Sequence, residues 1–219
     1  MKGDQSTRAG SEGAAAYDRL ARECGWFGPE VLFGLAFEYL RPPGRLLDIG
    51  IGTGLGSRPF AQAGLEVYGF DASVEMLVIC REKGIAVDLR QFDLREAQFP
   101  YQDRFFDVVI ACGVLHFFRD LGSILQESAR VTKQGGVLAF TVWAPDPQEG
   151  TALDGHTGVS ESCSQGVTIF GHDHGYVRRL LESHGFVVLK HLRFLVQSGP
   201  AGDDLVFCAY VAHKGEGDL

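Results

Sequence analysis

Asp48-Ile-Gly50-Ile-Gly52-Thr-Gly54 is the stretch of this 219-residue chain best suited to hold a ligand. An apolar run (Leu46, Leu47, Ile49) leads into it and a helix-like segment follows, stopping at Gly64. That order, strand then glycine turn then helix, opens a βαβ unit. Glycines at such a bend accept positive φ and let a ligand lie against bare backbone. The helix behind them offers free N–H groups and the positive end of its dipole. A carboxylate or another anionic edge suits that position. Two further acids stand at the ends of later strand-like runs: Asp71, 21 residues after Gly50, and Asp93. Cys112 and His116 follow a fourth such run.

Spacing narrows the ligand. A dinucleotide fingerprint needs G-x-G-x-x-G, and counting from Gly50 or from Gly52 puts Leu55 or Ser57 where the third glycine belongs. A phosphate-binding P-loop needs Gly-Lys-Ser/Thr, and no lysine is present. Asp71 sits where a nucleotide-binding βαβ unit places an acid for ribose hydroxyls. It could instead cap the following helix, but Ser73 can take that role. Asp93-Leu94 pairs an acceptor with an apolar slot, as an adenine edge requires, or is a solvated turn. Met76 stands one turn into the helix after Asp71, against a ligand or in ordinary core packing. His116 has the pKa range of a general base, or hydrogen-bonds within its own loop. Cys112 has no base beside it in sequence and reads as a small lining residue.

The glycine motif and strand-end acids stand with Val114-Leu115-His116, with Arg130-VTKQGGVLAFT-Val142, and with Tyr176-VRRLLESHG-Phe186. Together they resemble the class I S-adenosylmethionine-dependent methyltransferases, over about Tyr17 to Val211. The resemblance implies a three-layer αβα Rossmann-like fold. Its seven-stranded, mostly parallel sheet would have the order 3-2-1-4-5-7-6 and one antiparallel strand. It implies S-adenosylmethionine as cofactor and S-adenosylhomocysteine as product. Gly50, Gly52 and Gly54 would pass under the methionine part, with Asp48 holding its ammonium. Asp71 with Ala72 would take the ribose, Asp93 with Leu94 the adenine, and Met76 and Cys112 would line the pocket. Tyr17, on a helix over Ala14 to Cys24, would either lid the cofactor or pack on the core. Two positions depart from the family's habit. Ile51 replaces a smaller residue and is expected to crowd the pocket slightly, and Gln134 replaces a proline in a turn over Thr132 to Gly136.

Composition sets the frame for these residues. With 45% hydrophobic residues, one domain over 14–212 has material for a full core. Polar ends at 1–13 and 213–219 are expected to be flexible. The charge of −8 argues against a nucleic-acid partner, since phosphate backbones need a basic footprint. No run approaches a membrane helix and the first residues lack a signal peptide's apolar centre, so a cytoplasmic protein is expected. Five scattered cysteines suggest neither disulfides nor zinc. His172-x-His174 invites a metal, but no third ligand stands at suitable spacing, so none is expected.

Elements are expected at Pro29–Leu40, Ser73–Lys83, Leu121–Val131 and Asp173–His184 (helices), with a terminal hairpin of Phe186–Val196 and Asp204–Ala212. Residues 144–170 read as an irregular substrate-side insertion that holds His156, and His172 and His174, just after it, are candidates for substrate contact. The function implied is methyl transfer to a small-molecule acceptor by a monomer or homodimer. The rivals are a non-catalytic cofactor-binding regulator of the same fold and a nicotinamide-dependent oxidoreductase, against which the failed G-x-G-x-x-G count argues.

Overall fold

The computed structural model describes residues 11–96, 98–145, 158–164, 167–196 and 205–215. The expectations for residues 1–10, for His156 and the rest of 146–157, and for the hairpin turn and the last four residues lie outside that set. The spine is a parallel sheet in the order β3 (Asp88–Gln91), β2 (Glu66–Asp71), β1 (Arg45–Ile49), β4 (Phe106–Ala111), β5 (Thr132–Trp143). Its central strands are apolar on both faces, as a sheet covered by helices on both sides must be: β1 and β4 are buried almost throughout. One face packs on α5 (Gly122–Val131) and α6 (His174–Ser183) around Phe70, Val109 and Phe140. The other carries Leu46, Ile110 and Ala139 against α2 (Gly28–Ala36), α3 (Arg58–Gln62) and α4 (Val74–Glu82). α1 (Ser11–Glu23) lies over α4.

Beyond β5 the sheet divides. Antiparallel β9 (Leu205–Lys214) runs along β5 from Val137↔His213 to Trp143↔Phe207, and β8 (Phe186–Val196) pairs outside it. These two take the outer places of the expected seven-strand order. The strand count was short by two: β6 (Val159–Ser164) and β7 (Val167–His172) form an antiparallel hairpin joined to β5 through Trp143↔Gly171. The stretch expected to be irregular therefore holds strands, because Val159, Val167 and Ile169 supply β-formers that its glycines and serines obscured.

A second correction concerns Thr132–Gly136, which belongs to β5 and is no separate turn. The register between β4 and β5 shifts there, from Phe106↔Thr132 to Val108↔Val137, and the surplus residues bulge. The Asp107 carboxylate holds the bulge, accepting from Arg45 N at 2.9 Å and from Lys133 Nζ at 2.6 Å. The helix from Pro29 is also shorter than expected, giving way to a 3₁₀ turn at Phe37–Tyr39. Elsewhere the caps fall where the residues indicated: Ser73 Oγ accepts from Met76 N and Asp173 Oδ1 from Tyr176 N.

Candidate cofactor and acceptor site

The carboxyl ends of β1, β2 and β4 surround a cavity of about 270 Å³. Parallel strands all end on this edge, so the loops that leave them converge there. Gly50, Gly52 and Gly54 take φ of +68°, +53° and +82°. Each glycine has its own reason. A Cβ on Gly50 would lie 2.7 Å from Val114 Cγ2, and one on Gly54 2.9 Å from Ile85 Cδ1. At Gly52 no atom stands nearer than 4.0 Å, so a side chain there would project into ligand space. Gly54 thus serves packing behind the turn and does not line the cavity, whereas Gly50 and Gly52 do.

Asp71 ties the turn to the next strand. Its Oδ2 accepts from Gly52 N and its Oδ1 from Ser73 N, both at 2.9 Å. Burial raises its pKa, against the pull of those amides. Each carboxylate oxygen keeps a second lone pair, so the group can still accept from a ligand's hydroxyls. Asp93 lies at the far end of the same cavity beside Leu94 and Phe92. Its Oδ1 accepts from Arg95 N at 2.9 Å. Ala72, Met76, Cys112 and Tyr17 also line the cavity, so nine of the eleven cofactor residues expected from sequence meet around one space.

Asp48 and His116 are set back from that lining. Asp48 is 2% exposed, and its Oδ2 has no hydrogen-bond partner. Burial pushes its carboxyl up to about 8. Ser57 Oγ, near enough to oppose that shift, makes no hydrogen bond either. A buried acceptor left unmatched under an open glycine turn calls for a donor from above. His116 sits in a 3₁₀ turn (Leu115–Phe117), its ring 4.1 Å from Phe117 and 5.4 Å from Phe207. Its Nδ1 is also buried and unpartnered, and burial lowers the imidazole to about 4, with His172 adding to the effect. That makes it a neutral hydrogen-bonding group and a weak base. The Cys112 thiol is pushed well up by burial, then by Asp48, which leaves it a lining residue and no nucleophile.

Three features were missed or misjudged from sequence. Trp26, from the turn between α1 and α2, closes the cavity at its outer side. Its ring leaves only 2.4 Å to a Cβ on Gly28 and 3.0 Å to one on Gly113, and meets Phe207 edge-on at 5.0 Å. The only sequence signal was an aromatic pair between glycines, Gly25-Trp-Phe-Gly28. Ile51 lines the cavity, as its place in the turn implied, yet it is 3% exposed and most of its side chain packs against Gly69, where a Cβ would fall 2.5 Å from Ile51 Cδ1. His172 and His174 do not reach this cavity, and line another.

The comparisons with known proteins agree with this geometry. Residues 47–140, the span that carries the glycine turn, both strand-end acids and His116, match the family model described as a methyltransferase domain. Over that span the chain is similar to a methyltransferase domain. The chain is 40% identical over 103 residues to a phosphatidylethanolamine N-methyltransferase of Cereibacter sphaeroides, covering 44% of this chain and 49% of that protein. It is 34% identical over 139 residues to a malonyl-[acyl-carrier protein] O-methyltransferase of Serratia marcescens, covering 64% and 51%. The chain therefore spans about half the length of the curated relatives it matches. Among solved structures, an S-adenosylmethionine-dependent methyltransferase from Methanosarcina mazei shares the fold at a TM-score of 0.68 and 17% identity, over 85% of this chain and 99% of that one. So does the magnesium protoporphyrin IX methyltransferase of Synechocystis PCC 6803 with bound S-adenosylhomocysteine, at 0.65 and 21%, over 92% and 94%.

The residues present fit that cofactor. The unmatched Asp48 carboxyl stands below the turn, where a ligand ammonium would supply donors. The open side of Gly52 gives room for its chain.

Proposed function

We propose that the chain is a cytoplasmic S-adenosylmethionine-dependent methyltransferase acting on a small, largely apolar molecule. The observation that carries this reading is Asp48: a buried carboxyl with an unpartnered Oδ2 at the end of the strand that enters the glycine turn, next to a cavity lined by two more strand-end acids, Asp71 and Asp93. In the proposed complex Asp48 meets the ammonium, directly or through water. Asp71 accepts from the ribose hydroxyls with the lone pairs that Gly52 and Ser73 leave free. Asp93 takes the adenine amine, while Leu94, Phe92 and Met76 close on its ring. When bound, the cofactor supplies an electrophilic methyl group on a sulfonium. The chain's part is to hold the acceptor in line and exclude water. Trp26, Val114, Phe117 and Phe118 do this as an apolar outer wall.

The charge of −8 and that wall favour a small neutral acceptor over a nucleic acid. All five cysteines are free, as in a reducing compartment. His116 is assigned as a neutral hydrogen-bonding group at the acceptor end. The β6–β7 hairpin, standing at the end of β5, is assigned to the acceptor side.

Calorimetry decides the first step. S-adenosylhomocysteine should bind saturably and NADH should not; the reverse result would replace the methyltransferase reading with an oxidoreductase. A screen of small acceptors that detects S-adenosylhomocysteine then finds the substrate.

A further inference from the structure

A second cavity, of about 230 Å³, lies on the α6 face of the sheet. It is lined by side chains from β7, α6, β8 and β9, and none of them belongs to the cofactor cleft. His172 ends β7, His174 opens α6, His191 and Arg193 come from β8, and Tyr210 from β9. In a chain of net charge −8, three of its seven histidines and an arginine converge here against one acid. That acid, Asp173, is engaged as the cap of α6, its Oδ1 accepting from Tyr176 N at 2.5 Å.

The donors are poised and largely unspent. His174 Nδ1 stands 3.1 Å from the Tyr210 hydroxyl, and its Nε2 has no hydrogen-bond partner among the described residues. The His174 and His191 rings are 4.5 Å apart. Arg193 Nη2 donates to Ala144 O at 3.1 Å, and the rest of the guanidinium has no partner among the described residues. His172 is fully buried. Its Nε2 lies 3.3 Å from the Arg119 carbonyl, which can only accept, so Nε2 carries the proton and Nδ1 is a bare lone pair with no partner. The buried, unmatched Nδ1 of His172 is costly without a ligand, while the exposed His191 and Arg193 leave their donors at the cavity's solvent side.

We propose that this cavity is a binding site for a phosphate group, free or carried as a monoester. A phosphate suits it better than a carboxylate. It offers three or more oxygens to donors spread over separate elements, and it can bring or recruit the proton that His172 Nδ1 lacks. A cation finds no equivalent set: among the described residues no three His, Cys, Asp or Glu side chains converge to hold a metal ion. The proposal stands independently of the cofactor cleft.

Histidine side-chain NMR on the full chain tests it, with inorganic phosphate and phenyl phosphate as probes and chloride at equal ionic strength as reference. His174 is surrounded by His191, Tyr210, Asp173 and Arg178. An added phosphate opposite His174 and His191 should shift the ring resonances of both and offset the lowering that burial imposes on His174. Arg193→Gln should weaken phosphate about tenfold or more, the loss of one charge-assisted hydrogen bond. It should leave S-adenosylhomocysteine affinity unchanged, which also certifies the variant's fold, and Arg193→Lys should recover part of the loss. Tighter binding of phenyl phosphate than of phosphate assigns the site to a monoester, and equal binding to the free ion. Resonances identical in phosphate and chloride, or an Arg193→Gln affinity equal to the parent's, overturn the proposal. Phosphate binding without any S-adenosylhomocysteine binding would instead sink the cofactor reading and leave this one standing.

Discussion

The two halves of the sheet's carboxyl edge are built differently. At β1, β2 and β4 the ligand space is shaped by backbone: positive-φ glycines, the amides of Gly52 and Ser73 on Asp71, and one carboxyl left waiting. At β5, β7 and β9 it is shaped by side chains from distant parts of the chain. Trp26 meets Phe207 edge-on beside the cavity that Phe117 also lines, and His172, His174 and Arg193 line a separate polar pit. A site made of backbone tolerates almost no change at its glycines. A site made of side chains can be rebuilt by substitution, so one half suits a fixed cofactor and the other a variable acceptor.

The sharpest contrast should appear on adding a methyl to a glycine of the turn and to one in the bulge at the start of β5, away from the carboxyl edge. Gly50→Ala combines left-handed backbone with a Cβ 2.7 Å from Val114 Cγ2, and should cost about 2–4 kcal/mol of stability in urea denaturation. Gly135→Ala, at φ +73° with nothing within 4 Å, should cost only about 1–2 kcal/mol. Equal losses would mean that backbone strain alone, and no packing, fixes the glycine turn.

Next is the carboxylate that joins the turn to β2. Asp71→Ala should weaken S-adenosylhomocysteine binding by about 1.5–3 kcal/mol, as for other charge-assisted bonds. Part of that loss belongs to the turn, since the Gly52 and Ser73 amides lose their acceptor. Unchanged affinity in a folded variant would remove Asp71 from the ribose.

A smaller effect tests how Ile51 is accommodated. Gly69→Ala should destabilise by about 1–3 kcal/mol, because its methyl would meet Ile51 Cδ1 at 2.5 Å. Combining it with Ile51→Ala should cost less than the sum of the two single changes, a coupling that a double-mutant cycle reads directly.

What the chain disclosed in advance follows the same division. The glycine turn, Asp71, Asp93 and the strand order from β3 to β5 were legible because local spacing and strand-end position decide them. The β6–β7 hairpin was not, since its short β-forming runs are interrupted by serine and glycine. Trp26 and Phe207 were not either: their contact joins residues from opposite ends of the chain, and no periodicity reports it. The packing of Ile51 on Gly69 was not legible either, because Gly69 lies in the neighbouring strand, a fact of register.

Proton coupling separates the two halves at the level of charge. Asp48 is raised by burial to about 8, so the folded state holds a proton that the unfolded chain releases near pH 4. Stability of the ligand-free protein should therefore fall as pH rises from about 6.5 to 8. His116 and His172 work in the other direction. Burial lowers both to about 4, so stability should also fall as pH drops from about 6.5 toward 4. Asp48→Asn should flatten the alkaline limb and, by removing the slope that opposes the histidines, steepen the acid limb, whereas His116→Phe should flatten part of the acid limb. Binding of S-adenosylhomocysteine near pH 7 should release a proton from Asp48, seen as a dependence of binding heat on buffer ionisation enthalpy and lost in Asp48→Asn.

The smallest expected effect lies where α1 is fastened to the cofactor half. Asp18 Oδ1 accepts from Thr53 Oγ1 at 2.5 Å, and Lys83 Nζ reaches Asp18 Oδ2 at 2.5 Å and the Thr53 carbonyl at 2.9 Å. This clasp places Tyr17, whose hydroxyl is raised to about 12 by burial, over the cavity. Asp18 and Lys83 are each 29% exposed, so solvent screens the pair and Asp18→Ala should cost no more than about 1 kcal/mol overall. Locally the change should be larger in consequence. Amide hydrogens of α1 should exchange several-fold faster, and S-adenosylhomocysteine should dissociate faster, with little change in global unfolding. If α1 exchange is unaltered in Asp18→Ala, the helix is held by the burial of Ala14 and Ala21 alone, and the clasp has no part in closing the cofactor half.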